Sequence, residues 1–95
     1  MKIKIGSIIY TLKEYTIEDD KDGTHVSEID LMENVIGIEP GLPESQKHQA
    51  ILHESLHAMN WKMDENTVDF LAHAFYSYLV DNKELIKKML KSETK

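Results

Sequence analysis

Pro40-Gly41-Leu42-Pro43 is a tetrapeptide through which no regular element can run. Proline lacks a backbone N–H, has a fixed φ, and pushes the residue before it toward extended backbone. The chain is thereby divided into two halves with different hydrophobic periods. Before the break, apolar residues alternate as on strands; after it, they recur at helical spacing. Pro43 is well placed for a helix first turn, where its missing N–H would be unpaired in any case.

The first half predicts three or four short antiparallel strands. Lys2 to Ile5 alternates charged and apolar residues, and residues 7–17 are rich in Ile, Tyr and Thr. Glu18-Asp19-Asp20-Lys21-Asp22-Gly23 reads as a charged turn. Its acidic residues do not fill the offsets of a calcium-binding EF-hand loop. Residues 25–31 and 35–39 predict a hairpin around Met32-Glu33-Asn34.

The second half predicts a helix over residues 44–60, a short connection at Trp61-Lys62-Met63, and a second helix capped by Asp64. Met63 and Val68 have the spacing of a hydrophobic staple. Val68, Leu71, Ala72, Phe75 and Leu79 form one apolar stripe on that second helix. Asp81 and Glu84 have capping-box spacing for a short third helix bearing Leu85, Ile86, Met89 and Leu90. The expected class is α+β: a small antiparallel sheet followed by a helical hairpin and a short C-terminal helix, in a single domain over residues 1–95.

Composition narrows the functional classes. The chain has no cysteine, which removes disulfides, thiolate metal sites and a cysteine nucleophile. A net charge of −6 opposes sequence-independent nucleic-acid binding, and the basic run from Lys83 reads as a solvated helix face. No apolar run has the length of a membrane span, and the N-terminus lacks a signal-peptide core. A cytoplasmic location is expected; the composition does not speak to oligomeric state.

The chemistry concentrates in His53-Glu54-Ser55-Leu56-His57. Residues four apart lie one above the other on a helix, so both imidazoles can reach one Zn2+ at about 2.0–2.1 Å. Glu54 projects from a neighbouring side of the turn, where it can accept a proton from metal-bound water. A catalytic zinc takes a third protein ligand. Glu65 and Asp69, on one flank of the second helix, are the candidates if the two helices pack antiparallel. The ordinary alternative is that acidic residues in a first turn complement the helix dipole. His73 and Tyr76 are candidate oxyanion donors, with solvation and ring packing as their ordinary alternatives. Val35-Ile36-Gly37-Ile38 is a candidate edge strand for an extended peptide, or else an ordinary buried strand.

His53-Glu54-x-x-His57 followed by Glu65-x-x-Val68-Asp69-x-Leu71-Ala72 resembles the minimal zincin pattern of ImmA/IrrE-type metallopeptidases. The chain also resembles small phage-encoded proteins of that kind at Gly6, Tyr10, Ile29-Asp30, Leu42-Pro43 and Asp81-Asn82. The resemblance implies Glu65 as third ligand, Glu54 as base, a phage or prophage origin, and hence the host cytoplasm. Seven residues separate His57 from Glu65, a short spacing for a glutamate zincin. Asn60 and Met63 stand where the extended metzincin motif has Gly and His. Larger glutamate zincins use the Asp of a Glu-x-x-x-Asp pair to orient a ligand histidine, which gives Asp69 that role, with direct ligation as the alternative. The functional expectation is a zinc-dependent peptidase acting on a peptide or protein substrate. Its rival is a non-catalytic, zinc-stabilised binding module docking on a host or phage protein.

Overall fold

The computed structural model describes residues 1–18 and 25–93; most of the expected charged turn, with its calcium alternative, falls outside them. Four strands, β1 (Lys2–Ile5), β2 (Ile8–Glu14), β3 (Ser27–Asp30) and β4 (Val35–Ile38), precede three helices, α1 (Glu44–Met59), α2 (Glu65–Asp81) and α3 (Lys83–Glu93). The α+β class of a sheet followed by a helical hairpin is what the chain forms. Among the described residues, no helix is long and apolar enough to cross a membrane.

The sheet order is β1-β2-β4-β3. Two pairings, β1 with β2 and β3 with β4, are antiparallel, but the central pairing of β2 with β4 is parallel. The sheet is therefore mixed where a wholly antiparallel one was expected. Polarity explains the order. β4 carries Ile36 and Ile38, both 0% exposed, and needs a neighbour on each side. β3 carries Ser27, Glu28 and Asp30, which an edge tolerates. Putting the apolar strand inside leaves β4 running alongside β2 in the same direction.

Local chemistry fixes both hairpins. Gly6, at φ 63°, opens the two-residue turn between β1 and β2, a conformation glycine adopts without steric cost. In the β3–β4 turn the Asp30 Oδ1 accepts from the Met32 and Glu33 N–H groups, each at 3.0 Å. Asn34 closes it at φ 55°.

One face of the sheet packs on α1, through a core of Tyr10, Ile36, Ile38 and Ala50. On the other face Tyr15 lies over Gly37, and its hydroxyl donates to Glu28 Oε2 at 2.6 Å. A second core, Leu56 with Val68 and Ala72, joins α1 to α2, with Met63 packed against it. The Asp64 carboxylate accepts from the Thr67 N–H at 2.8 Å, which caps α2 and holds that carboxyl below its usual range.

Two helical expectations need correction. Asp81 lies within α2, so no capping box forms with Glu84; the Asn82 side chain instead donates to the Tyr78 carbonyl at 2.8 Å. Phe75 and Leu79 are not core residues, being 48% and 38% exposed. Their stripe is real, but α1 starts at Glu44, so its first turns come level with Phe75 and end short of Leu79.

Burial, with the hydrogen bond to Glu28 and that residue's negative charge, pushes the Tyr15 hydroxyl up to about 12. The neutral form is favoured on folding, so this stabilisation is intact below the ordinary tyrosine range, near 10, and is lost as pH rises through about 12. In an alkaline ultraviolet titration Tyr15 is expected to ionise near pH 12, and Tyr15→Phe should remove that step. Gly37→Ala should cost about 1–3 kcal/mol in denaturant unfolding, because the added methyl collides with the Tyr15 ring.

Candidate metal centre

The antiparallel packing of α1 on α2 sets a simple register. His57, in the last turn of α1, meets Glu65 in the first turn of α2: His57 Nε2 and Glu65 Oε1 are 3.0 Å apart. One turn back along α1 and one turn forward along α2, His53 Nδ1 meets Asp69 Oδ1 at 2.9 Å. The other ring nitrogen, His53 Nε2, points the opposite way, 2.6 Å from Glu65 Oε1 and 3.2 Å from His57 Nε2.

His53, His57 and Glu65 thus bring three ligand atoms to one point, all within 4.8 Å of one another. Ligands at about 2.0–2.1 Å around a tetrahedral zinc stand about 3.3 Å apart. The separations of 3.2, 3.0 and 2.6 Å are close to that triangle, slightly contracted. Two imidazole nitrogens and one carboxylate oxygen also match the donor set zinc prefers. The cluster is of the kind that coordinates a divalent metal such as Zn2+. Asp69 stands behind His53, its Oδ1 against the ring nitrogen that faces away from the cluster.

Glu54 follows His53 by one residue, a rotation of about 100° that turns it toward the sheet. It is 5% exposed, and its Oε2 accepts from the Ser27 hydroxyl of β3 at 2.6 Å. Burial raises its pKa, and the Ser27 bond and the two histidines oppose that shift without cancelling it. Glu65 goes the other way. Partial burial works to raise it, but the bond to His57 and the nearby His53 and His57 outweigh burial and hold the carboxyl below its usual range.

Two open cavities, about 630 Å3 and 310 Å3, flank the cluster and share His25, Ser27, His53, Glu54 and Glu65. The larger continues past Gln46, Gln49 and Phe70; the smaller runs by Ile29, Leu31 and Trp61. Together they form a trough along β3, the sheet edge. β4, by contrast, is paired on both sides, so Val35–Ile38 offers no free edge.

Not every candidate joins the centre. His73 lines the larger cavity, about 12 Å along the helix axis from Glu65. Tyr76 lies about 16 Å along that axis, its ring 6.4 Å from the His48 ring, out of reach of the cluster. A shared flank on a helical wheel says nothing about distance along the axis. Ser27 on β3 and His25 just before it were not anticipated, because residues far from the motif in sequence carry no local signal of what they face.

No family model, curated protein or solved structure matches this chain, so its likeness to a small zincin-like metal-binding fold rests on the sheet, the helical hairpin and the His/His/Glu cluster themselves.

Glu65→Gln should weaken zinc affinity severely, whereas Asp69→Asn should cost about 10–100-fold, as measured by competition with a chelating dye. The opposite ranking would exchange the two roles. Ligation requires both imidazoles unprotonated, so acidification should release the metal. Chelation should lower the melting temperature yet leave a cooperative transition, because neither apolar core includes a metal ligand.

Proposed function

We propose that this protein is a zinc-dependent peptidase in which His53, His57 and Glu65 hold the ion and Glu54 is the general base. The carrying observation is the convergence of the three ligand atoms beside a buried glutamate on an open trough. A structural zinc site is closed by four protein ligands. Here the described residues supply three, next to open space, which favours catalysis over a metal that only staples the fold.

A bound zinc ion supplies Lewis acidity: it lowers the pKa of a coordinated water to about 7 and polarises a carbonyl. The chain's own residues do the rest. Glu54 takes the proton from the attacking water and delivers it to the leaving amine. Its raised pKa suits that second role, since a carboxylic acid that holds its proton more tightly is available as a donor nearer neutrality. The Ser27 hydroxyl fixes Glu54 Oε2 and leaves its other oxygen for the reacting proton. Asp69 orients His53. An extended peptide lies along the outer edge of β3, which no other described strand pairs, its backbone adding as a strand, with side chains reaching the Phe70 and Trp61 ends of the trough. His73 lines the trough on the Phe70 side and is the remaining candidate for contact with substrate.

The test pairs metal content with cleavage of a diverse peptide mixture. Glu54→Gln should bind zinc as the wild type does and lose about 100-fold or more in turnover. Zinc-loaded protein that cleaves nothing would leave the chain a metal-binding module, and Glu54→Gln that cleaves undiminished would remove Glu54 as the base.

A further inference from the structure

We propose that the distal half of the α2–α3 stripe is a self-association surface, on which two copies of this chain pair antiparallel. The proposal is independent of the metal centre. Val68, Ala72, Phe75, Leu79, Asn82, Ile86 and Met89 recur in sequence at alternating intervals of four and three residues on both sides of Asn82, where the backbone bends out of the helix at φ −128° and ψ 43°. That is the spacing of a coiled-coil seam. The first two positions are buried against Leu56 of α1. Phe75 is level with the first turns of α1 yet half exposed, the positions from Leu79 onward outrun that helix, and α3 has no second layer against it in a molecule 45 Å long.

The uncovered side chains are large. Phe75, Tyr78, Leu79, Leu85, Met89 and Leu90 are between 38% and 62% exposed. At about 150–250 Å2 for a large side chain, they present roughly 500 Å2 per chain. A patch of that size marks an interaction site on a soluble protein. Two such patches face to face bury roughly 1,000 Å2, the size at which specific interfaces begin.

Charge selects the occupant and its direction. α2 carries Glu65, Asp69 and Asp81 and no lysine or arginine. α3 carries four lysines against two glutamates. With the whole chain at −6, α3 is +2 and everything else −8. A parallel pair would set basic α3 against basic α3. An antiparallel pair, with its two-fold axis near Asn82, lays each α3 along residues 71–81 of the other copy, which carry Asp81 and no lysine or arginine. The same charge distribution disfavours an anionic membrane, because the acidic body would be drawn to it along with α3. Phe70 falls opposite Leu79 on α2 at about 100° per residue, so the metal trough stays open in the pair.

Sedimentation equilibrium on the full chain should give a dimer with a Kd of about micromolar. Met89→Glu and Leu90→Glu alter only exposed side chains, and each should weaken the dimer at least tenfold with unchanged circular dichroism. Lys87→Glu, on the flank of the seam, should weaken it at low salt, with the difference vanishing at high salt. A chain that remains monomeric far above micromolar concentration overturns the proposal. So does a dimer indifferent to all three substitutions, or a monomer that binds anionic vesicles through α3.

Discussion

The packing of Leu56 against Val68 and Ala72 is the constraint on which the remaining structure depends. It sets how far α2 slides along α1, and therefore which side chains meet. With that register, His57 faces Glu65 and His53 faces Asp69, each a turn apart. A slip of one residue would rotate one set by about 100° and separate both pairs. The small Ala72 lets the helices come close enough for a glutamate and two imidazoles to share one point. Burying these three apolar residues contributes about 1.5–3 kcal/mol for each of the larger two, and it acts on geometry as much as on stability.

The two glutamates of the site illustrate how position overrides chemical identity. Glu54 and Glu65 have the same side chain and lie beside the same two histidines, yet burial drives the first upward while imidazole contacts drive the second downward. A carboxylate suited to ligation must ionise easily; one suited to carrying protons must not ionise too easily. The division follows from the face of the hairpin each residue occupies: Glu54 is turned under β3, and Glu65 stands at an open helix start.

What the sequence made legible was local. The His53–His57 spacing, the Asp64 cap and the hairpin closed at Asn34 each depend on residues a few positions apart, and each could be read directly. The α+β class followed from the change of period at Pro40 and Pro43. What stayed hidden was set by distant partners. Nothing near β2 announces that β4, not β3, will lie beside it, and that choice puts Ser27 over Glu54. Phe75 and Leu79 form a true stripe, but only the length of α1 determines how much of it is covered. Tyr76 fails for a related reason: a wheel projects out the axial coordinate along which it is displaced.

The hydrogen bond between Ser27 and Glu54 joins halves of the chain that otherwise divide the labour. Every ligand candidate, and Asp69 behind them, lies on the helical hairpin; Ser27, which steers the proposed base, lies on the sheet. Holding an ion and using it therefore have different structural requirements. Local opening that lifts β3 from α1 would spare the ligand triangle while releasing Glu54 into solvent, where its proton affinity returns toward that of an ordinary carboxyl. On the proposed function, metal affinity would then report on the hairpin alone and turnover on the whole fold. A peptide added to the edge of β3 would brace the strand that positions Glu54, so occupancy of the trough and alignment of the base would rise together.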